Sequence, residues 1–186
     1  MRKPTVWHIE TPRMKVRKVC AGAWETNAYV VVCATTGASV IVDAAADADR
    51  LIAATAGTEP SALLTTHGHF DHVGAARAVA DRLGIPFRLH QDDADMFKVP
   101  PDEPLLPGTI SVGALEVKVV HTPGHTPGSV VIALDGIVLS GDTLFPGGPG
   151  ATSGPGADFD TIMASLDRAL FTLPDETIVM PGPGLD

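Results

Sequence analysis

Along residues 13–19 polar and apolar side chains alternate, with Arg13, Lys15 and Arg17 set against Met14 and Val16. A period of two predicts a strand with one wet face. The apolar runs at residues 27–33 and 39–42 predict two more strands, and Thr35-Thr36-Gly37 between them is short enough for a hairpin. Residues 44–56 are Ala-rich with early acidic positions and read as a helix. Ala62-Leu63-Leu64 reads as a buried strand, and residues 73–83 as a helix that stops at Gly84 with Pro86 behind it. A short strand at 87–89 and the start of a short helix at 90–93 follow. Residues 98–108 hold Pro100, Pro101, Pro104 and Pro107 and read as a loop. Strands are predicted at 115–120, 130–134 and 137–139, the last two joined by the hairpin signal Asp135-Gly136. An amphipathic helix over 158–170 and a short strand over 177–180 complete the chain. Strands come first and helices then interleave with strands, in two rough halves. That order predicts two β-sheets packed on each other with helices outside, in one domain without repeats or linkers.

The chemistry is concentrated where the strand at 62–64 ends, in Thr66-His67-Gly68-His69-Phe70-Asp71-His72. His67 and His69 are two apart, so extended backbone turns both to one side. Asp71 and His72 follow where the chain enters its next helix. Neutral imidazole and ionised carboxylate are the donors that first-row divalent cations accept, and this spacing points to a metal site. Two later segments add to it. In Thr122-Pro123-Gly124-His125-Thr126-Pro127-Gly128, the Pro-Gly pairs bracket His125 in a tight loop between strands, rigid enough to hold a ligand. Asp142 lies just past the apolar run Ile137-Val138-Leu139, where an ionised carboxylate is unfavourable unless paired or metal-bound. His8, His90 and His121 have no such setting and are read as structural or surface residues.

Composition narrows the partners. A net charge of -9 argues against nucleic acid, which wants a basic face. The 45% hydrophobic and 19% charged residues describe a folded chain with a real core. No apolar stretch approaches the length of a membrane span and no leader-like run opens the chain, so a cytoplasmic protein is expected, with no membrane partner. Two cysteines, Cys20 and Cys33, are too few for a disulfide framework and are expected to be buried thiols. The Gly- and Pro-rich stretch 141–156 lacks the Gly-Lys-Ser/Thr ending of a phosphate loop, which excludes that kind of nucleotide site.

His-Gly-His-Phe-Asp-His, Thr-Pro-Gly-His-Thr-Pro-Gly-Ser and Ser-Gly-Asp-Thr-Leu-Phe together resemble the metallo-β-lactamase fold superfamily, and within it the small glyoxalase II-like hydrolases. The resemblance spans roughly residues 19–184. It implies an α/β (α+β) fold, a four-layer αββα sandwich, with metal at one edge of the two sheets. Carried over by position, it implies that His67, His69 and His125 hold a first metal, that Asp71 and His72 hold a second, and that Asp142 bridges the two. Zinc is the expected ion, one or two per chain, with iron or manganese also suited to such donors. The family usually adds a histidine in a late Pro-Gly-His-Gly turn, where this sequence has Pro181-Gly182-Pro183-Gly184. Pro183 has no lone pair to offer. Relatives also usually continue into a terminal helix, so the domain 1–186 is read as lacking its C-terminal helix.

The implied activity is metal-dependent hydrolysis. A metal lowers the pKa of water toward about 7, and the resulting hydroxide attacks the carbonyl of a thioester or small ester, with Asp71 orienting or deprotonating the water. The partner is then a small acyl substrate, whose walls are expected from residues 98–108 and 145–155. Two alternatives stand beside it. A single iron held by His67, His125 and Asp142 would present a two-His-one-carboxylate face, as in the persulfide dioxygenases that resemble this family. A metal-deficient, non-catalytic relative is the other. Oligomeric state has no signature in the sequence.

Overall fold

A computed structural model of the protein describes residues 7–96, 98 and 100–184. Residues 1–6, and position 99 of the predicted proline-rich loop, lie outside the described residues. Among the described residues fourteen strands and four helices are formed: β1 (Ile9–Glu10), β2 (Met14–Ala21), β3 (Thr26–Cys33), β4 (Ala38–Val42), α1 (Ala48–Ala54), β5 (Glu59–Leu64), α2 (Phe70–Val73), α3 (Ala76–Leu83), β6 (Phe87–Leu89), β7 (Glu103–Pro104), β8 (Gly108–Val112), β9 (Leu115–His121), β10 (Val130–Leu134), β11 (Ile137–Gly141), β12 (Leu144–Phe145), β13 (Gly148–Pro149), α4 (Phe159–Ala169) and β14 (Ile178–Pro181). A single 3-10 turn, Gln91–Asp93, follows β6.

Strands β1 to β7 lie side by side in chain order in one sheet, and a second sheet runs β14-β11-β10-β9-β8. β12 and β13 form a small separate hairpin. Three apolar clusters glue four layers together. The largest joins the inner faces of the sheets, with Met14, Tyr29, Val31 and Leu64 against Val117, Val119, Ile132 and Leu139. A second packs Val30, Ile41 and Leu63 under Leu51 of α1 and Val79 of α3. A third packs Val131 and Val138 under Leu166 and Leu170 beside α4. β3 therefore has both faces covered and every residue buried, which is why it reads as one apolar run rather than an alternation. The expected αββα sandwich is the observed architecture.

Several boundaries differ from expectation. The helix predicted from residue 44 starts at Ala48, because Ala44 spends its backbone elsewhere: its N–H donates to His72 O and its carbonyl accepts from Ala75 N. The helix predicted over 73–83 is split into α2 and α3 at Gly74 and Ala75. β7 falls inside the stretch read as loop, and β8 begins where that stretch ends, on residues for which no strand was expected. Only its last residue, Val112, is fully buried, so the alternation that marks a strand is faint there. Cys33 is buried as expected, but Cys20 is exposed, on the wet side of β2 next to the turn. Among the described residues no helix is long and apolar enough to cross a membrane.

Candidate metal centre

The parallel pairing of β4 with β5 brings Val42 beside Leu64. The next residues on each strand, Asp43 and Thr65-Thr66-His67, therefore emerge at the same sheet edge. Asp43 takes a left-handed backbone, φ 61°, and turns its carboxylate back across that edge. The carboxylate accepts from Thr66 N at 2.7 Å and from the Thr66 hydroxyl at 2.9 Å. It also accepts from His72 Nδ1 at 2.9 Å. His72 reaches this spot because α2 is a single turn started by His69, whose carbonyl accepts from the backbone N–H of His72 and Val73. The second sheet delivers the rest. The β9–β10 connection carries His125, and the end of β11 carries Asp142. Val130 N donates to Thr66 O, tying the two sheets together at the site.

A second buried carboxylate fixes the two histidine-bearing loops to each other. Asp93 is wholly buried. It accepts from Gly68 N at 2.9 Å, Thr126 Oγ1 at 2.7 Å and Gly128 N at 2.7 Å. The fit around it is tight: a Cβ at position 68 would lie 2.8 Å from the Asp93 carbonyl oxygen, so only glycine lets the His67-His69 segment pass.

The sequence-predicted residues converge as two groups that share His67. His67, His69 and His125 form one, and His67, His72 and Asp142 form the other. Within the first group His69 Nδ1 is 3.0 Å from both His67 Nε2 and His125 Nε2. One ring nitrogen carries at most one hydrogen, so it cannot satisfy both neighbours. Three nitrogens at this spacing match the roughly 3.3 Å edge of a tetrahedron with metal–nitrogen distances near 2.0–2.1 Å. In the second group His72 Nε2 and Asp142 Oδ1 are 3.1 Å apart, and both are buried without a properly aligned hydrogen-bond partner. Asp142 Oδ2 lies 3.6 Å from His125 Nε2, so this carboxylate stands between the two groups. Asp71 joins neither group: its Oδ2 is 4.0 Å from His72 Nε2 and its side chain, 21% exposed, lies at the rim.

The outer partners decide which nitrogen points inward. His125 Nδ1 faces Ala151 O at 2.8 Å, and a carbonyl only accepts, so Nδ1 carries the hydrogen and Nε2 keeps its lone pair. His72 Nδ1 donates to Asp43, which leaves Nε2 as the nitrogen that faces Asp142. His67 Nδ1 lies 3.3 Å from the Thr66 hydroxyl, whose own hydrogen is directed to Asp43, so Thr66 accepts and His67 Nε2 is left open. Orphaned buried polar atoms, open lone pairs and a carboxylate set between the two groups fit divalent cations, and the residues present satisfy the chemistry such ions require.

Burial holds the His67 imidazole well below its ordinary value of 6.5, and the neighbouring His72, His125 and His69 push in the same direction. His69 is lowered too, by burial and then by His125. Both rings are neutral and ready at neutral pH. His72 moves the other way: burial opposes its charge, but Asp43 and Asp142 outweigh it and raise the group to about 10. Without a cation, His72 is therefore an imidazolium whose Nε2 proton stands where an ion would sit. Uptake of an ion by the His72 group has to expel it, so below pH 10 affinity there rises with pH, by about tenfold per unit. Calorimetric titration in buffers of differing ionisation heat at pH 8 is expected to report about one proton released per chain. A value near zero would mean that His72 is already neutral before the ion binds.

Two further features were not anticipated. Asp43 and Asp93 were missed, although Asp43 closes the apolar run 39–42 just as Asp142 closes 137–139, and that parallel was the available signal. His121 and His90, read as structural, do pack together, with rings stacked 4.3 Å apart, and His121 Nε2 donates to Pro127 O at 2.8 Å. They lie behind the His125 loop and buttress it. With Asp92 they form a third group of metal-capable side chains. The turn at Pro181-Gly182-Pro183 lies against the second group. A Cβ at position 182 would sit 2.5 Å from Asp142 Oδ1 and 2.6 Å from His72 Cε1, and Pro183 pairs with Thr26 as an isolated bridge.

A cavity of about 470 Å³ beside the site is lined by residues from 21–26, 45–47 and 70–78. Residues 103–106 of the expected wall 98–108 line a separate hollow, and the segment 145–155 backs His125 through Ala151 O.

Known proteins resemble this chain in sequence and fold. The Bacillus subtilis (strain 168) protein described as "Probable metallo-hydrolase YqgX" is 31% identical over 193 residues, covering 92% of this chain and 90% of that one. The Haemophilus influenzae protein "Hydroxyacylglutathione hydrolase GloC" is 30% identical over 169 residues, covering 78% and 80%. Among solved structures, BLEG-1 B3 metallo-beta-lactamase superposes with a TM-score of 0.84 at 33% identity, covering 91% of this chain and 92% of that one. TTHA1623 in a di-iron-bound form superposes with a TM-score of 0.73 at 36% identity, covering 90% and 92%. The family profile of the Metallo-beta-lactamase superfamily matches residues 21–182, a span that contains every residue of both metal-capable groups. With sandwich, sheet-edge site and profile in agreement, the chain belongs to the metallo-β-lactamase superfamily.

Proposed function

We propose that this metallohydrolase cleaves small acyl thioesters or esters. The observation that carries the reading is the placement of Asp71. Its carboxylate is 4.0 Å from His72 Nε2 and also lines the 470 Å³ cavity, so one acidic group borders both the cation position and the space open to a substrate. His67, His69 and His125 would hold one ion; His72 and Asp142 would contribute to a second, with Asp142 standing between the two groups. Bound there, a divalent ion supplies a Lewis acid and lowers the pKa of water toward about 7. Asp71 orients that water and takes up its proton at a carboxylate oxygen. His69 and Asp71 flank Phe70, so the chain itself sets an apolar ring between the ligands and the general base. The names of the relatives, metallo-hydrolase and hydroxyacylglutathione hydrolase, support the reaction class.

The test uses protein reconstituted separately with zinc, manganese and ferrous iron, with metal content measured by elemental analysis and thiol release followed from acetyl thioesters of an uncharged thiol. Turnover that chelation removes and metal restores is expected. No thiol release with any of the three ions would overturn the proposal. A relative in a di-iron-bound form makes iron a real contender for the native ion. The 3.6 Å approach of Asp142 to His125 also leaves the mononuclear iron oxygenase as the second reading. One iron per chain with oxygen consumption would select it.

A further inference from the structure

The cavity beside Asp71 has walls that the proposed chemistry does not use. Its volume is about 470 Å³, within the usual range for a small-molecule site. Small side chains open it: Ala21, Ala45, Ala75 and Ala78 leave the space that larger residues would fill. Two aromatic rings stand at its mouth. Trp24 sits on the turn between β2 and β3, and Phe70 opens α2 between His69 and Asp71. Their ring centroids are 6.3 Å apart at 75°, an edge-to-face pair, and the side chains are 63% and 56% exposed. Large aromatic groups held in water beside an apolar hollow mark a surface that a ligand covers.

The charge of the wall excludes some ligands. Its ionisable members are Asp47 and Asp71, and no Lys, Arg or His is among the lining residues. The guanidinium of Arg50, three residues past Asp47 on α1, is engaged with Cys20 O at 2.8 Å. A carboxylate-bearing arm placed here would meet only like charge, which binding sites penalise strongly.

We infer that this cavity receives the acyl arm of the substrate, and that the arm is apolar and uncharged, such as a medium-length alkyl or an arylalkyl chain. This rests on the hydrolase reading above. A carbonyl placed at the cation position projects its acyl substituent past Phe70 toward Trp24, while the thiol or alcohol half leaves on the open side. The selective element is the acyl half of the molecule, and an anionic acyl group is rejected.

The experiment measures kcat/KM of the metal-loaded protein for thioesters of one uncharged thiol carrying acetyl, hexanoyl, phenylacetyl or succinyl groups. Hexanoyl and phenylacetyl are expected to exceed acetyl by about tenfold or more, and succinyl to fall below it. Ala78→Trp fills the cavity and is expected to collapse the hexanoyl-to-acetyl ratio toward one. Acetyl turnover with a flat series in the native chain, or an unchanged ratio in Ala78→Trp, would overturn the inference and leave the hydrolase reading standing. If no thioester is cleaved, the hydrolase reading fails, and the cavity is judged by binding alone. Saturable hexanamide shifts of the Trp24 indole N–H resonance, weakened in Ala78→Trp, are then expected. Their absence in the native chain would overturn it.

Discussion

Asp43→Asn is expected to strip the ion from the His72 group while leaving the protein folded. The Asp43 carboxylate accepts on both oxygens, from Thr66 N at 2.7 Å and from His72 Nδ1 at 2.9 Å. An asparagine has one accepting and one donating end. The Thr66 N–H claims the carbonyl oxygen, which turns the amide nitrogen toward His72 Nδ1. That nitrogen must then accept, so the ring hydrogen moves to Nε2 and blocks the lone pair aimed at the cation. Loss of such an outer partner weakens metal binding by about 10–100-fold. Asparagine tolerates the left-handed φ of 61° that this position requires, so the backbone has no reason to rearrange. Elemental analysis after dialysis against a mild chelator reads the result, with ¹⁵N spectra of the imidazoles reporting the tautomer. Native metal content in the variant would show that Asp43 does not set His72. The expulsion of a proton on metal uptake is also expected to disappear, because the same carboxylate raises the group to about 10.

The residues closest to the metal position were legible because their signal is local. Four metal-capable side chains fall between His67 and His72, and a strand that ends in them needs no tertiary information to be noticed. His125 and Asp142 were legible for a related reason: each ends or bridges an apolar strand at a place where a polar group must have a purpose. The layers were also readable. β3 and β11 bury every residue, and β9 alternates, so their runs announce one sheet on another.

What stayed hidden depends on register between distant strands. Asp43 is 29 residues from His72, and only the pairing of Val42 with Leu64 shows that they share an edge. Asp93 sits in an acidic pair that a sequence reads as solvent-facing, yet Asp92 is outside and Asp93 has no exposure at all. Nothing in the composition of residues 90–93 distinguishes the two. The helix at 44–56 was read too long for a similar reason: hydrogen bonds from Ala44 to the segment carrying His72 override its helical preference. The cavity beside Asp71 has no signal in the sequence, because most of its walls are alanines, which carry no periodic or chemical mark, and Trp24 lies on a turn far in sequence from Phe70.

Asp93→Ala is expected to be the more damaging of the two carboxylate substitutions. Three donors, Gly68 N, Thr126 Oγ1 and Gly128 N, end on this one buried group. Removing it strands the Gly68 and Gly128 N–H groups away from water and leaves the Thr126 hydroxyl with Ser129 alone, and losing such a buried, fully paired carboxylate destabilises by about 3–5 kcal/mol. For a chain of this size each kcal/mol shifts Tm by about 2–4 °C, so a fall of about 6–20 °C is expected in a thermal melt. The damage extends to the metal position, because Asp93 joins the His67-Gly68-His69 segment to the loop of His125. With that clamp gone, the two loops hold their rings independently and the 3.0 Å contacts of His69 with both partners loosen. Metal retention by the first group is therefore expected to fall along with stability. Asp93→Asn separates the two effects. It keeps the volume and one acceptor but presents an N–H₂ to a donor, so it is expected to melt between the native chain and the alanine variant. A Tm within about 4 °C of native for Asp93→Ala would mean that the loops are held by their own sheets, and that the carboxylate is not what brings His67, His69 and His125 to one point.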